Sequence, residues 1–265
     1  MSKIKYSDSE ISDLLDGIFA GDITEYSLPD NLYFAIADYL KKGLYEGFGK
    51  SIAELDGDDV ALGLLSELRN NIYAFSGAKT FQQVREMVDL LTDDAGKIRT
   101  FSAFKTDAID IYQTYNIDWL QTERSTALGQ ASNAAKWQQI IKDKKTFPLL
   151  RYSAIEDATT SDICAPLDGI VLPVNDPFWD EFMPLNHFNC RCLVTQIADG
   201  ELEATDPDEL DGIAAGPREL IKPLFAENPG KTGEVFNKEH PYFDVPKADK
   251  KYAKENFNLD IPEND

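Results

Sequence analysis

The stretch "PLNHFNCRCLV", residues 184–194, holds two of the chain's three cysteines and one of its two histidines. These are His187, Cys190 and Cys192, and the third cysteine, Cys164, lies upstream in "CAPLDG". Thiolate sulfur and imidazole nitrogen are ligands that zinc prefers, and four of them complete a tetrahedral structural site. Cys190 and Cys192 are two residues apart, so on a strand both project to one face. His187 falls on the turn that precedes them. The spacing C-x22-H-x2-C-x-C is not that of a standard zinc finger. On the residues alone three readings stay open. One is a metal site holding zinc. One is a set of buried cysteines packed as small hydrophobes, with His187 bonded to a backbone carbonyl. The third is a redox pair at Cys190 and Cys192, disfavoured by the strain of closing a disulfide across one residue.

Catalytic arrangements fare less well. The H-x-E and P-C-x-x-C segments of a zinc deaminase are absent, as are H-E-x-x-H, a Walker loop and G-x-S-x-G. Cys164 and His187 would make a nucleophile and base, but two more cysteines beside His187 favour coordination or packing. Four protein ligands would also leave zinc no open position for a substrate. Asp157, Asp162 and Asp168 read as turn and cap residues rather than a carboxylate pair. Lys142, Lys144 and Lys145 read as a solvated helix end, where cations suit the dipole.

The elements that carry these residues follow from proline. Residues 1–147 contain only Pro29, and the other twelve prolines lie in 148–265. Proline disrupts helix interiors, so the first half reads as helical and the second as strand and loop. Ser7 and Glu10 have capping-box spacing ahead of Ile11, Leu14 and Leu15. A second helix follows Pro29. A third carries Ala61, Leu64, Leu65, Leu68, Ile72 and Phe75, with Gly77 as its stop, and a fourth runs from about Thr80 to Leu91. The longest helix bears the seam Phe101, Phe104, Ala108, Ile111 and Tyr115, suited to packing on neighbouring helices. "PLLRYSAI", "GIVLPV" and "RCLVTQI" read as strands, with an Asp168-Gly169 turn between the first two. The fold class expected is α+β. A helical region, 1–145, precedes a small β-containing Cys/His domain, 146–198. An acidic linker, 199–216, and an irregular C-terminal extension, 217–265, follow. The linker reading rests on seven acids and no base between Asp199 and Gly216.

Bulk charge narrows the partners. The 26 Lys and Arg stand against 47 Asp and Glu, a formal charge of −21. Such a chain repels phosphate at long range, which argues against nucleic acid as its primary partner. No run of apolar residues approaches a membrane span, and "MSKIKYSDSEISDLLDG" lacks the apolar stretch of a secretory signal. A reducing cytoplasm is expected, where clustered cysteines bind metal more often than they pair.

Residues 119–197 resemble the phage Mu F-like head-morphogenesis family, the minor head proteins. "WLQTERSTALGQASNAAKW" is similar to the helix that carries the family's Thr-Glu pair, here Thr122 and Glu123. "LLRYSAIEDATTSDICAPLDGIVLPV" is similar to its next block, with Asp157, Cys164, Leu167, Asp168 and Gly169 in the family's places. "MPLNHFNCRCLV" is similar to its closing signature, supplying Pro184, His187, Cys190, Arg191 and Cys192 in order. The chain departs from the pattern before Asp157, where Tyr152 alone stands for an aromatic-rich strand. The resemblance implies a virion component of a phage or prophage that associates with the portal protein, scaffold or major capsid protein. It would be present in the bacterial host cytoplasm during assembly and then in the head, and in some systems such proteins affect DNA packaging or ejection. It implies no enzymatic activity. The Cys/His cluster would hold the small domain together, with or without metal. Head-morphogenesis domains also occur fused to toxin domains such as ADP-ribosyltransferases, but the 68 residues after Ile197, less the acidic run, are few for an independent catalytic domain. A zinc-dependent nucleic-acid-binding module is a further alternative, opposed by the net charge.

Overall fold

Helix α1 (Asp8–Ala20) begins where the capping box predicts. The Glu10 N–H donates to Ser7 Oγ at 3.3 Å, and the Ser7 N–H donates to Glu10 Oε2 at 2.7 Å. Two of the orphan N–H groups of the first turn are thereby satisfied. The computed structural model describes residues 4–57 and 59–263. Helix α2 (Asp30–Phe48) follows Pro29 as expected.

The third and fourth expected helices are one, α3 (Val60–Asp89). Gly77 does not stop it. A Cβ on Gly77 would lie 2.4 Å from Leu259 Cδ1, so this glycine admits a side chain from the C-terminal segment. The Thr80 hydroxyl, at the expected start of the fourth helix, donates to the Ser76 carbonyl at 2.8 Å within α3. The next helical stretch is continuous from Phe101 to Asp143. It comprises α4 (Phe101–Gln113), a π-helical turn (Thr114–Trp119) and α5 (Leu120–Asp143). Phe104, Ala108, Tyr112 and Tyr115 form its buried stripe, while Phe101 and Ile111 are half-buried. The stripe follows the 3.6-residue period of a helix packed on others, not a coiled-coil seam. Among the described residues before Phe101, the β-structure is a lone bridge between Thr92 and Ile98.

The three expected strands form an antiparallel sheet in the order β2-β1-β3, from β1 (Leu149–Ser153), β2 (Val171–Pro173) and β3 (Leu193–Ile197). In the register, Leu150 faces Leu172 and Tyr152 faces Val194. Leu150 and Tyr152 are fully buried and Arg151 between them is exposed, the period-2 alternation of a sheet with one covered face. The fold class is α+β.

Two compact units emerge from the packing. One comprises residues 1–43, 69–125 and 238–265, and the other residues 44–68 and 126–237. Their boundaries in sequence fall inside α2, α3 and α5 and between Asn237 and Lys238. The second unit contains the sheet. Its core gathers Trp137, Ile140, Leu150, Tyr152, Leu167, Trp179, Phe182 and Phe225. The short helix α6 (Phe178–Glu181) supplies one of these residues.

The acidic run is only partly a linker. Helix α7 (Pro207–Leu220) occupies its second half, capped by Asp206, whose carboxylate accepts the Asp208 N–H at 2.9 Å. Asp206, Asp208 and Glu209 lie at the helix N-terminus, where the dipole favours negative charge. Leu210, Ile213 and Ala214 recur at helical spacing and pack on the core of the second unit. The acids had masked that pattern. The C-terminal extension divides. Its first part, with Ile221, Phe225 and the one-turn helix α8 (Pro229–Thr232), belongs to the second unit. Its last part, with Tyr242, Phe243 and helix α9 (Lys247–Phe257), belongs to the first.

Candidate metal centre

Cys164, His187 and Cys190 converge in the second unit. Their ligand atoms all lie within 4.8 Å of one another, so the group could hold a metal ion. Cys164 and Cys190 are buried and His187 is half-buried. The sulfurs of Cys164 and Cys190 are 3.8 Å apart, and all three cysteines are free thiols.

Each ligand is placed by local backbone chemistry. After β1 the chain loops back, and the Cys164 N–H donates to the Ser161 carbonyl at 3.1 Å and to its hydroxyl at 3.2 Å. Pro166 is the second residue of the single 3-10 turn that follows, Ala165–Leu167. Leu167 is fully buried. Asp168 Oδ1 accepts the Ala154 N–H at 2.8 Å, and Gly169 takes φ 82, open to glycine at no steric cost. The Leu-Asp-Gly motif is thus the anchor, latch and turn of the β1–β2 connection. His187 and Cys190 are brought together by a turn in which the Cys190 N–H donates to the His187 carbonyl at 3.2 Å. Asn189 is its third residue, at φ 59, a conformation asparagine tolerates. Cys190 and Cys192 precede β3 rather than lie on it. Pro184 is buried in the approach to the turn.

Between the two cysteines, Arg191 points outward. Its guanidinium meets the Asp157 carboxylate through both nitrogens at 2.7 Å, and the Thr159 hydroxyl at 2.6 Å. Asp157 also accepts the Thr159 N–H at 2.9 Å, the turn role its sequence predicts. Arg191 holds the Asp157 carboxyl well below the usual range. Two signature residues far apart in sequence therefore clamp the 154–161 loop to the cysteine segment.

The sulfurs are not in a plain hydrophobic environment. Tyr152 donates its hydroxyl to Cys164 Sγ at 3.3 Å and accepts from Asn186 Nδ2 at 2.9 Å. Asn186 also donates its backbone N–H to Cys190. Hydrogen bonding, chiefly with Cys190, holds the Cys164 thiol below its ordinary value. Hydrogen bonding with Cys164 pushes the Cys190 and Cys192 thiols up and raises His187. Cys192 is buried. It lies outside the three-residue group, so not every one of its distances is within 4.8 Å. Neither Tyr152 nor Asn186 was identifiable as a sulfur partner from its sequence position.

Thr122 and Glu123 lie in the first unit. Thr122 is half-buried on α5. Glu123 makes a buried ion pair with Lys79 of α3, Nζ to Oε1 at 2.8 Å. Tyr242 donates to the same carboxylate oxygen at 3.2 Å. The Lys79 ammonium also faces the rings of Tyr115, Trp119 and Tyr242 at 5.0, 5.9 and 4.8 Å. Burial pulls both charges toward neutrality, Lys79 down and Glu123 up, and each opposes that in the other. His240 takes no part in the cysteine group; its ring packs edge-on to Phe75 at 4.8 Å in the first unit.

Residues 79–195 match the family described as Phage Mu protein F like protein. The chain is 27% identical over 115 residues to the capsid assembly protein F of Escherichia phage Mu, covering 43% of this chain and 25% of that protein. It is 30% identical over 80 residues to the Mu-like prophage FluMu F protein of Haemophilus influenzae, covering 30% of this chain and 18% of that one. The chain thus spans a quarter or less of the curated relatives it matches. No solved structure gives a significant match. Among the described residues, no helix is long and apolar enough to cross a membrane.

Proposed function

Because residues 79–195 are a Mu F-like region with distant homology to the phage Mu capsid assembly protein F, we propose that the chain acts in assembly of a phage or prophage head, as a minor head protein. Its partners in this reading are the portal protein, scaffold or major capsid protein, met in the host cytoplasm, after which it stays with the head. The observation that carries the reading is that the match runs from Lys79 through Thr195, so it takes in the Lys79–Glu123 pair and the whole Cys/His group. Docking is assigned to the helical half, whose long helices offer broad faces. The charge of −21 keeps the chain off DNA before assembly. The reading gives the chain no enzymatic turnover.

The Cys164, His187 and Cys190 group is read as a zinc site within this assembly protein. Two sulfurs and one imidazole nitrogen are a donor set that zinc favours. Tyr152 and Asn186 direct donors at the sulfurs, an outer shell that suits thiolates bound to metal. Bound zinc would tie the β1–β2 connection to the turn before β3 and stabilise the folded unit.

Co-expression with the portal, scaffold and capsid proteins of the same genome, followed by co-purification and sedimentation, tests the assembly reading. Association with one of them is expected. Association with none, together with absence from purified particles, would defeat it.

A further inference from the structure

We propose that the outer edge of β3 pairs with β3 of a second copy of this chain, antiparallel and centred on Thr195, so that their two sheets join into one. This contact lies in the unit that holds the sheet and is separate from the docking of head partners on the helical half.

The first argument is which backbone groups the sheet leaves unmet. The Tyr152 N–H donates to the Ile170 carbonyl at 2.8 Å, and the Val174 N–H donates to the Pro148 carbonyl at 3.0 Å. The even-numbered residues of this segment therefore bond toward β2, and the odd-numbered ones, Leu149, Arg151 and Ser153, bond toward β3. Their partners across the ladder are Ile197, Thr195 and Leu193. The N–H and C=O groups of Val194 and Gln196 consequently point away from β1, along the outer edge of the sheet. Among the described residues no hydrogen bond reaches them.

The second argument is the contrast between the two edges. The other outer strand is β2. There Thr205 meets the outward groups of Val171: its N–H donates to the Val171 carbonyl at 2.8 Å, and its hydroxyl accepts the Val171 N–H at 3.0 Å. Pro173 ends that strand and has no N–H to offer. In β3 there is neither proline nor lysine. Its residues are Leu, Val, Thr, Gln and Ile, uncharged and mostly suited to strands. Folded proteins blunt exposed edges because a bare edge is a template for another strand. One edge of this sheet is blunted and the other is not.

The third argument identifies the occupant. A two-fold axis through Thr195 sets Val194 opposite Gln196 of the second copy, and Gln196 opposite its Val194. Each such pair exchanges both N–H···O bonds, so the outward groups of both residues are met. Thr195 then faces its own counterpart, and Leu193, 52% exposed, faces Ile197 of the second copy. Charge agrees with this direction. Arg191 stands before the strand, and the exposed Asp199 and Glu201 stand after it. Antiparallel pairing brings the start of one strand to the end of the other, base toward acids, whereas parallel pairing would align like charges. The strand itself carries no charge, so chains of −21 meet where repulsion is least.

The test uses the full chain alone. Sedimentation velocity over about 1–100 μM should show a dimer that grows with concentration. Gln196→Pro removes an outward N–H and sets a ring where the second strand would lie, yet it breaks no bond to β1, and an edge strand tolerates proline. Gln196 Nε2 has no hydrogen-bond partner to lose. The variant should keep the wild-type circular dichroism spectrum and weaken the dimer by about tenfold or more. A monomer throughout the range would overturn the proposal, as would a dimer that Gln196→Pro leaves intact. If Gln196→Pro does not fold, Thr195→Cys decides. Its thiol meets its own counterpart in a closely spaced, non-hydrogen-bonded pair, so oxidised glutathione should link the two copies on a non-reducing gel and leave the wild type unlinked. No link in Thr195→Cys would overturn the pairing. A chain that is monomeric alone, but loses a portal, scaffold or capsid partner on Gln196→Pro, would give the edge to that partner's strand and overturn self-pairing.

Discussion

Substituting Lys79→Met removes the cation of a pair that solvent does not reach: the Lys79 side chain is 0% exposed and that of Glu123 is 6%. At 2.8 Å from Nζ, Glu123 Oε1 loses its charged donor and keeps only the Tyr242 hydroxyl, while Oε2 is buried with no partner. Removing one member of such a pair strands a charge in a low dielectric and costs about 3–5 kcal/mol. With an urea slope of about 2 kcal/mol per molar, the unfolding midpoint should drop by roughly 2 M. Glu123→Leu strands the ammonium instead and should cost a similar amount. The double variant strands neither, and Met and Leu suit the rings of Tyr115, Trp119 and Tyr242. It should recover to within about 1 kcal/mol of wild type. Urea unfolding followed by circular dichroism gives all four corners of the cycle. Additive losses, or single losses below about 1 kcal/mol, would refute the claim that this signature glutamate is held by a buried charge.

Glu227 is buried near Glu234, and its carboxyl is pushed up to about 8, chiefly by burial. The folded state therefore holds this proton more tightly than the unfolded chain. Stability should fall as pH rises from about 4.5 to about 8, by at most about 1.4 kcal/mol per unit, and then level off; Glu227→Gln should flatten that slope in thermal melts across the range. Tyr152→Phe removes a donor to Cys164 and orphans the Asn186 amide, so it should cost about 1–3 kcal/mol by urea unfolding. Gly77→Ala sets a Cβ against Leu259 and should loosen the C-terminal segment, seen as faster proteolysis beyond α9 with α3 intact. Arg191→Ala releases Asp157 and should speed cleavage in the 154–161 loop.

The sequence was most legible where a local rule settles the outcome. The capping box at Ser7, the helix after Pro29 and the three strands after Pro148 depend on residues close in the chain. It misled where a tertiary contact overrides a local signal. Gly77 has the look of a stop, yet Leu259, far along the chain, makes it a point of close approach inside α3. The acids of 199–216 suggest solvated chain, yet part of them cap α7. The cysteine group was visible because His187 and Cys190 are neighbours in sequence and Cys164 shares the family's Leu-Asp-Gly block. Pairs across long separations left no trace: Lys79 is 44 residues from Glu123, and Arg191 is 34 from Asp157. Both depend on how the helices and loops pack, which no spacing rule encodes.

The measurement closest to the central claim is made on particles of the phage or induced prophage that encodes this chain. Heads are purified by gradient sedimentation from cells with the gene intact and from cells in which it is deleted, and the protein is assayed by mass spectrometry. The account predicts the chain in the head fraction, and fewer or aberrant heads when the gene is deleted. Normal heads from the deletion strain, with the protein absent from wild-type particles, would contradict it.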